Sequence, residues 1–236
     1  MDSKISELSV FLPTFNEGES IEEVVIKIKK VLQEVAGKWE IIVVNDGSTD
    51  STRKVVEGLK ENDARIKLIN HDKNLGYGAS LKSGFYNSKY NWIAFIDSDN
   101  QFDFGEITKF LEKQKETGAD LVIGYYKKRQ VSAFKIITSK IWELSVYILF
   151  GLKVHDIDCG FKLISKKVID NIPHLVSERG AFISSELLIK ARNGGFKIVE
   201  VPVTHYPRIK GVGTGRNLNV IIKSFIDLFK LWKKLH

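Results

Sequence analysis

Two carboxylates, Asp97 and Asp99, sit one residue apart directly after the apolar run Trp92-Ile93-Ala94-Phe95-Ile96. In an extended strand, residues i and i+2 point to the same side, so a D-x-D at a strand end aims two oxygens at one point. Gln101 continues the alternation with a neutral oxygen. Hard divalent ions such as Mg²⁺ or Mn²⁺ favour oxygen ligands and bridge to substrate phosphates. The pattern predicts diphosphate chemistry, with Asp97, Asp99 and Gln101 as metal ligands, provided other loops supply a nucleotide site.

Such a site needs a scaffold that gathers several loops at one edge. The first half of the chain alternates strand and helix patterns. Strands are expected at Leu8–Leu12, Trp39–Asn45, Ile66–Ile69, Asn91–Ile96 and Asp120–Gly124, and helices at Ser20–Val35, Ser51–Lys60, Ala79–Ser88 and Phe104–Thr117. Apolar strands alternating with helices predict an α/β fold with a mostly parallel sheet covered on both faces. Ligands of such sheets bind at the carboxyl ends of the strands. In the second half, helices are expected at Phe134–Leu152, Gly180–Asn193 and Asn217–Leu235, and a strand at Phe196–Val203. With no linker or repeat, the chain reads as one domain over residues 1–205, extended over 206–236 by a basic loop and an amphipathic helix.

The loops after the expected strands carry the unusual residues. Pro13-Thr14-Phe15-Asn16-Glu17 can wall a base, with Glu17 as a hydrogen-bond acceptor, or can be a capped turn. Asn45-Asp46-Gly47-Ser48-Thr49-Asp50 places Asp46 to accept from a base or ribose, with Ser48 or Thr49 as a helix cap. Asn74-Leu75-Gly76-Tyr77-Gly78-Ala79-Ser80-Leu81-Lys82 puts glycines at a helix start, where a phosphate or sugar can approach backbone N–H groups. Neither a dinucleotide fingerprint nor a P-loop is present.

At 236 residues, with 43% hydrophobic and 28% charged residues, the chain has ordinary globular composition. A single cysteine, Cys159, excludes an intramolecular disulfide and suits a reducing cytoplasm. Neither a signal peptide nor an apolar run of membrane-spanning length is read in the sequence. A net charge of +7 is compatible with nucleic acid, anionic lipid or phosphorylated substrates. A nucleic-acid module has no use for D-x-D, so no nucleic-acid partner is expected. His71, His155 and His205 read as hydrogen-bonded loop residues, because no Cys/His spacing suggests zinc.

Taken together, Val10–Glu17, Val43–Asp50 and Ile96-Asp97-Ser98-Asp99 resemble the GT-A glycosyltransferases of family 2, over the chain to about residue 205. The resemblance implies a nucleotide-sugar donor, Mg²⁺ or Mn²⁺, and inversion at the anomeric carbon. It assigns Pro13, Phe15, Glu17 and Asp46 to the nucleoside. Gly76, Lys82, Asp97 and Ser98 fall to the rest of the donor, and Asp97, Asp99 and Gln101 to the metal. Asp156-Ile157-Asp158-Cys159-Gly160-Phe161-Lys162, D-S-D-N-Q and His205-Tyr206-Pro207-Arg208 are similar to segments of dolichol-phosphate mannose synthases and bacterial polyprenyl-phosphate relatives. That likeness implies hexose transfer to a polyprenyl phosphate at the cytoplasmic membrane face. The alternative is a family 2 enzyme acting on a sugar hydroxyl in surface polysaccharide.

A phosphate monoester is largely a dianion at neutral pH, since its second pKa is about 6, and it attacks without a general base. Arg129, Lys162, Arg208 and Arg216 are candidate anion holders, with Arg208 and Arg216 for the acceptor phosphate. Asp99, Asp158, Arg129, Lys162 and Arg208 make up the candidate catalytic set. A hydroxyl acceptor would need Asp156 or Asp158 as base. The last helix sets Ile221, Ile222, Phe225, Leu228, Phe229, Trp232 and Leu235 on one stripe, opposed by Lys223, Asp227, Lys230 and Lys234. This suits an anionic membrane surface, or equally a terminal helix packed on its own core.

Overall fold

The computed structural model describes residues 4–126, 133–177, 182–207 and 218–235. A seven-stranded sheet in the order β3-β2-β1-β4-β6-β5-β7 forms its centre. The strands are β1 (Ile5–Thr14), β2 (Ala36–Asn45), β3 (Ile66–Asn70), β4 (Trp92–Ile96), β5 (Leu121–Tyr126), β6 (Phe161–Ser165) and β7 (Ile198–Val203). All but β6 run parallel. The helices are α1 (Ile21–Val35), α2 (Thr52–Asn62), α3 (Tyr77–Asn87), α4 (Ile107–Thr117), α5 (Ala133–Phe150), α6 (Lys166–Asn171), α7 (Phe182–Asn193) and α8 (Leu218–Leu235).

The element types follow from residue spacing. Helix α1 buries Ile21, Val24, Val25, Ile28 and Leu32 on one face, and Glu22 and Glu23 in its first turn suit the helix dipole. Strand β1 is buried on both faces from Leu8 onward, which explains its nearly continuous apolar run. One sheet face packs on α1 and α4. The other packs on α3, α5 and α7 through the rings of Phe11, Phe85 and Phe95, whose centroids lie 4.9–5.7 Å apart. Each fully buried ring contributes about 1.5–3 kcal/mol.

Strand β6 was not expected. It pairs antiparallel between β4 and β5, with Lys162 opposite both Phe95 and Ile123. A fully buried lysine interrupts its apolar run and hides the strand pattern. Because β6 runs backwards, its first residue lies beside the last residue of β4, in the pair Ile96↔Phe161. The segment Asp156–Gly160 is thereby delivered to the D-x-D.

Helix α8 packs part of its apolar stripe on the core. Leu228 and Leu231 are buried with Trp142 and Leu187, and Phe225 meets the Trp142 ring at 5.0 Å. The core-packed alternative therefore describes Leu228 of this stripe, while Phe229 of the same stripe is exposed. The side chains of Ile221, Ile222, Lys223 and Leu235 lie outside the described residues. On α5, Ile141, Leu144, Tyr147 and Ile148 form an exposed apolar face, and Ile148 is 70% exposed. No helix among the described residues is long and apolar enough to cross a membrane.

Candidate active site

The strand order reverses at β1, between β2 and β4, so a crevice opens at the carboxyl ends of these strands. The loops after β1 and β2 are laced together there. Asn16 accepts from the Thr49 N–H at 2.8 Å through its side chain, and its own N–H donates to the Ser48 hydroxyl at 2.9 Å. Its φ of 55° is left-handed, a conformation that asparagine tolerates better than most residues. The Glu17 N–H donates to Thr52 and the Gly18 N–H to Asp50, both at 2.9 Å. Buried Glu17 accepts from the Ser20 hydroxyl at 2.9 Å. This lacing leaves the Phe15 ring 38% exposed, available as a wall for a base.

Asp46 is buried at the end of β2 and gathers three donors. Its Oδ1 accepts from the Leu75 N–H at 3.0 Å and from the His71 ring at 2.6 Å, and its Oδ2 accepts from the Gly76 N–H at 2.8 Å. The His71 ring also meets the Ser83 hydroxyl at 2.9 Å. Asp46 thus fixes the turn before α3. Gly76 has φ 102°, which favours glycine, and starts the helix with Tyr77 pointing at the D-x-D. Lys82 is half-buried on the same helix.

The D-x-D lies just past β4. The Tyr77 hydroxyl donates to Asp97 Oδ1 at 2.9 Å, and the Asp97 N–H donates to the Gly160 carbonyl at 3.2 Å. A Cβ at Gly160 would stand 2.0 Å from Asp97 Oδ2, so only glycine leaves this carboxylate its place. Burial raises the Tyr77 phenol well above its ordinary value, and Asp97 adds to the effect, so it stays a donor. Ser98 is buried and donates to the Pro13 carbonyl at 2.8 Å, tying the D-x-D to the first loop. Asp99 accepts from the Gln101 N–H at 3.2 Å, across Asn100 at φ 60°. The Gln101 side chain donates to the Tyr206 carbonyl at 3.0 Å, and the Tyr206 N–H donates back to the Gln101 carbonyl at 2.8 Å. Glu106 accepts from the Thr204 N–H and hydroxyl at 2.9 and 3.0 Å. The chain leaving β7 is therefore pinned along the D-x-D loop.

Two expected anion or base positions sit differently. Lys162 is fully buried under Phe95 and donates to the Cys159 carbonyl, so its ammonium faces the interior and not a substrate phosphate. Burial lowers its pKa, opposed by Cys159, Asp156, Asp158 and Asp97. The Cys159 thiol is pushed up to about 12 by burial, which keeps it unreactive. Asp156 is buried and accepts from the Asp158 N–H at 3.1 Å, whereas Asp158 is exposed. Of the two base candidates, only Asp158 is open to a substrate. Arg129, Arg208 and Arg216 lie outside the described residues. Sequence reasoning missed Tyr77 and the tight place of Gly160. An aromatic between glycines, Gly76-Tyr77-Gly78, was the available signal for the first.

A cleft of about 340 Å³ separates α1 from the D-x-D loop, with Val24, Ile28, Asn100, Phe102 and Tyr206 on its walls. Asp97 also lines it, so the cleft adjoins the D-x-D, whereas Pro13, Phe15, Glu17 and Asp46 are not on its walls. Among the described residues, no group of three or more His, Cys, Asp and Glu side chains is arranged to hold an ion alone. Asp97, Asp99 and Gln101 nevertheless offer an all-oxygen set just past one strand end, where the missing side chain of Gly160 leaves the Asp97 carboxylate its place. These residues suit a hard divalent ion, which would take its remaining ligands from a bound diphosphate.

Comparison with known proteins places this geometry in a family. A dodecaprenyl-phosphate galacturonate synthase from Rhizobium johnstonii is 30% identical over 94% of this chain and 67% of its own length. An undecaprenyl-phosphate 4-deoxy-4-formamido-L-arabinose transferase from Salmonella choleraesuis is 31% identical over 86% of this chain and 61% of its own. The chain thus spans about two thirds or less of these relatives. Glucosyl-3-phosphoglycerate synthase from Mycobacterium tuberculosis, solved with Mn²⁺, UDP and phosphoglyceric acid, shares the fold with a TM-score of 0.71. It is 20% identical over 96% of this chain and 78% of that one. The expected GT-A fold is the one observed. The model for glycosyl transferase family 2 matches residues 9–172, and the chain belongs to that family.

Proposed function

We propose that this glycosyltransferase moves a hexose from a nucleotide sugar to a polyprenyl phosphate, with inversion, at the cytoplasmic face of a membrane. The observation that carries this reading is the alignment of two polyprenyl-phosphate sugar transferases over 94% and 86% of the chain. Phe15 and Pro13 wall the base, and the laced loops around Glu17 and Asp46 hold the nucleoside. A divalent ion at Asp97, Asp99 and Gln101 would neutralise the departing diphosphate. An acceptor phosphate oxygen attacks the anomeric carbon as the bond to the diphosphate oxygen breaks, and no side chain need take a proton. The acceptor enters beside Tyr206, and Arg208 and Arg216, which follow it in the sequence, are the proposed holders of its phosphate. Residues 206–236 form the part of the chain assigned to the lipid acceptor.

The exposed apolar face of α5, with Ile226 and Phe229 of α8, rests on the membrane. Exposed Lys230, Lys233 and Lys234 beside it suit anionic headgroups. The test is turnover of GDP- and UDP-sugars with Mg²⁺ or Mn²⁺, with and without a short polyprenyl phosphate. The expected result is a lipid-linked monosaccharide that requires the ion. Donor hydrolysis without lipid product, or transfer to a sugar hydroxyl, would overturn the acceptor assignment.

A further inference from the structure

We propose that Tyr77 is a positioning residue for the D-x-D, set in place by Asp46 and aiming the Asp97 carboxylate at the ion. The inference rests on the divalent-ion reading above. The path is continuous in hydrogen bonds. Asp46, at the end of β2, holds the Leu75 and Gly76 N–H groups at 3.0 and 2.8 Å. The next residue is Tyr77, whose hydroxyl donates to Asp97 Oδ1 at 2.9 Å. On the other side, Gly160 fixes where Oδ2 stands, since nothing larger than hydrogen fits there. One oxygen is thus held by a donor and the other bounded by backbone, which restricts the rotation of the carboxylate.

A carboxylate free to rotate must be ordered when the ion binds, at a cost in affinity. Groups that hold metal ligands from behind typically change metal affinity by about 10–100-fold when removed. The same path gives Asp46 a second task besides the nucleoside. It couples the loop after β2, where the base would lie, to the first carboxylate after β4. Asp46 to Asn is expected to weaken ion binding as well as nucleotide binding, although Asp46 touches no part of the ion site.

The experiment measures Mn²⁺ affinity by electron paramagnetic resonance, alone and with UDP or GDP, for wild type, Tyr77→Phe, Asp99→Ala, Asp97→Asn and the Tyr77→Phe/Asp97→Asn pair. Tyr77→Phe keeps the ring and removes only the hydroxyl. The expected result is an affinity loss of about 10-fold or more in Tyr77→Phe, and no further loss when it is added to Asp97→Asn. Wild-type affinity in Tyr77→Phe, with binding abolished in Asp99→Ala, would overturn the positioning role alone. Unchanged binding in Asp99→Ala would overturn the ion site on which it rests. Should Tyr77→Phe fail to fold, 3-fluorotyrosine placed at position 77 of the otherwise native chain carries the test. Its fluorine resonance shifts on adding Mg²⁺ with the nucleoside diphosphate if the proposal holds, and stays put if it does not.

Discussion

Replacing Gly160 by alanine tests whether the D-x-D depends on the antiparallel strand beside it. The new Cβ would lie 2.0 Å from Asp97 Oδ2 and 2.5 Å from its Cγ, whereas real Cβ contacts stay beyond 3.0 Å. The carboxylate must therefore retreat by about 1 Å, which also strains its 2.9 Å bond from Tyr77. Gly160 is not among the residues with positive φ, so the backbone accepts alanine and the effect stays with the contact. A displacement of about 1 Å at a reacting centre costs on the order of 100-fold in rate. Overpacking of this kind destabilises by about 1–3 kcal/mol, less than the roughly 5–15 kcal/mol that holds a domain folded. Steady-state transfer kinetics, Mn²⁺ titration and thermal unfolding are the three measurements. The expected variant is folded, with kcat/KM and Mn²⁺ affinity both strongly reduced. A folded variant with wild-type values of both would refute the view that Asp97 is held between Gly160 and Tyr77.

Glu186 and Lys190 form a buried ion pair on α7 that also holds the Val176 and Ser177 N–H groups and the His174 carbonyl. Glu186→Gln leaves Lys190 buried without its counter-charge and is expected to cost about 3–5 kcal/mol in denaturant unfolding; an unchanged midpoint would contradict the pairing. Burial alone would raise the Glu186 carboxyl, but hydrogen bonds from Lys190, Ser177 and the two N–H groups outweigh it and hold the pKa below the ordinary 4.5. Its stabilisation is therefore intact above pH 4.5 and lost as pH falls through the lower folded value, so acid scans should show a smaller loss of Tm in Glu186→Gln than in wild type. Leu228→Ala, in the core under α8, should destabilise by about 2–5 kcal/mol, and an exposed surface position would show almost none of this. Leu144→Asp with Ile148→Asp, on the exposed face of α5, should leave Tm alone and reduce partitioning to anionic vesicles about 100-fold, at roughly 1.5 kcal/mol per side chain. Unchanged partitioning would overturn the proposed membrane contact of α5.

The alternation of apolar strands with amphipathic helices through Tyr126 was legible in the sequence, because burial on both faces of a parallel sheet writes itself as runs of Val, Ile and Phe. D-x-D was legible as two neighbouring carboxylates after an apolar run, but β4 ends at Ile96 and Asn100 turns at φ 60°, so the expected strand alternation does not carry on to Gln101. Lys162 misled for a physical reason. A lysine is normally solvated, and nothing local says that its ammonium will find the Cys159 carbonyl inside a strand. Without β6, Asp156–Gly160 is a motif with no address, and its meeting with Asp97 needs the antiparallel pairing Ile96↔Phe161. The stripe on α8 was equally readable as membrane-facing or core-facing, since amphipathicity names a face but not what covers it, and packing of Leu228 against the core decided for that residue. Sequence by itself determined the residue chemistry, the carboxylates, amide and glycines proposed for an ion and a nucleotide, because residue type and apolar periodicity are local properties. Only the tertiary structure decided which of them are aimed and by what, because the bonds from Asp46 to Gly76 and from Tyr77 to Asp97 join residues 30 and 20 positions apart.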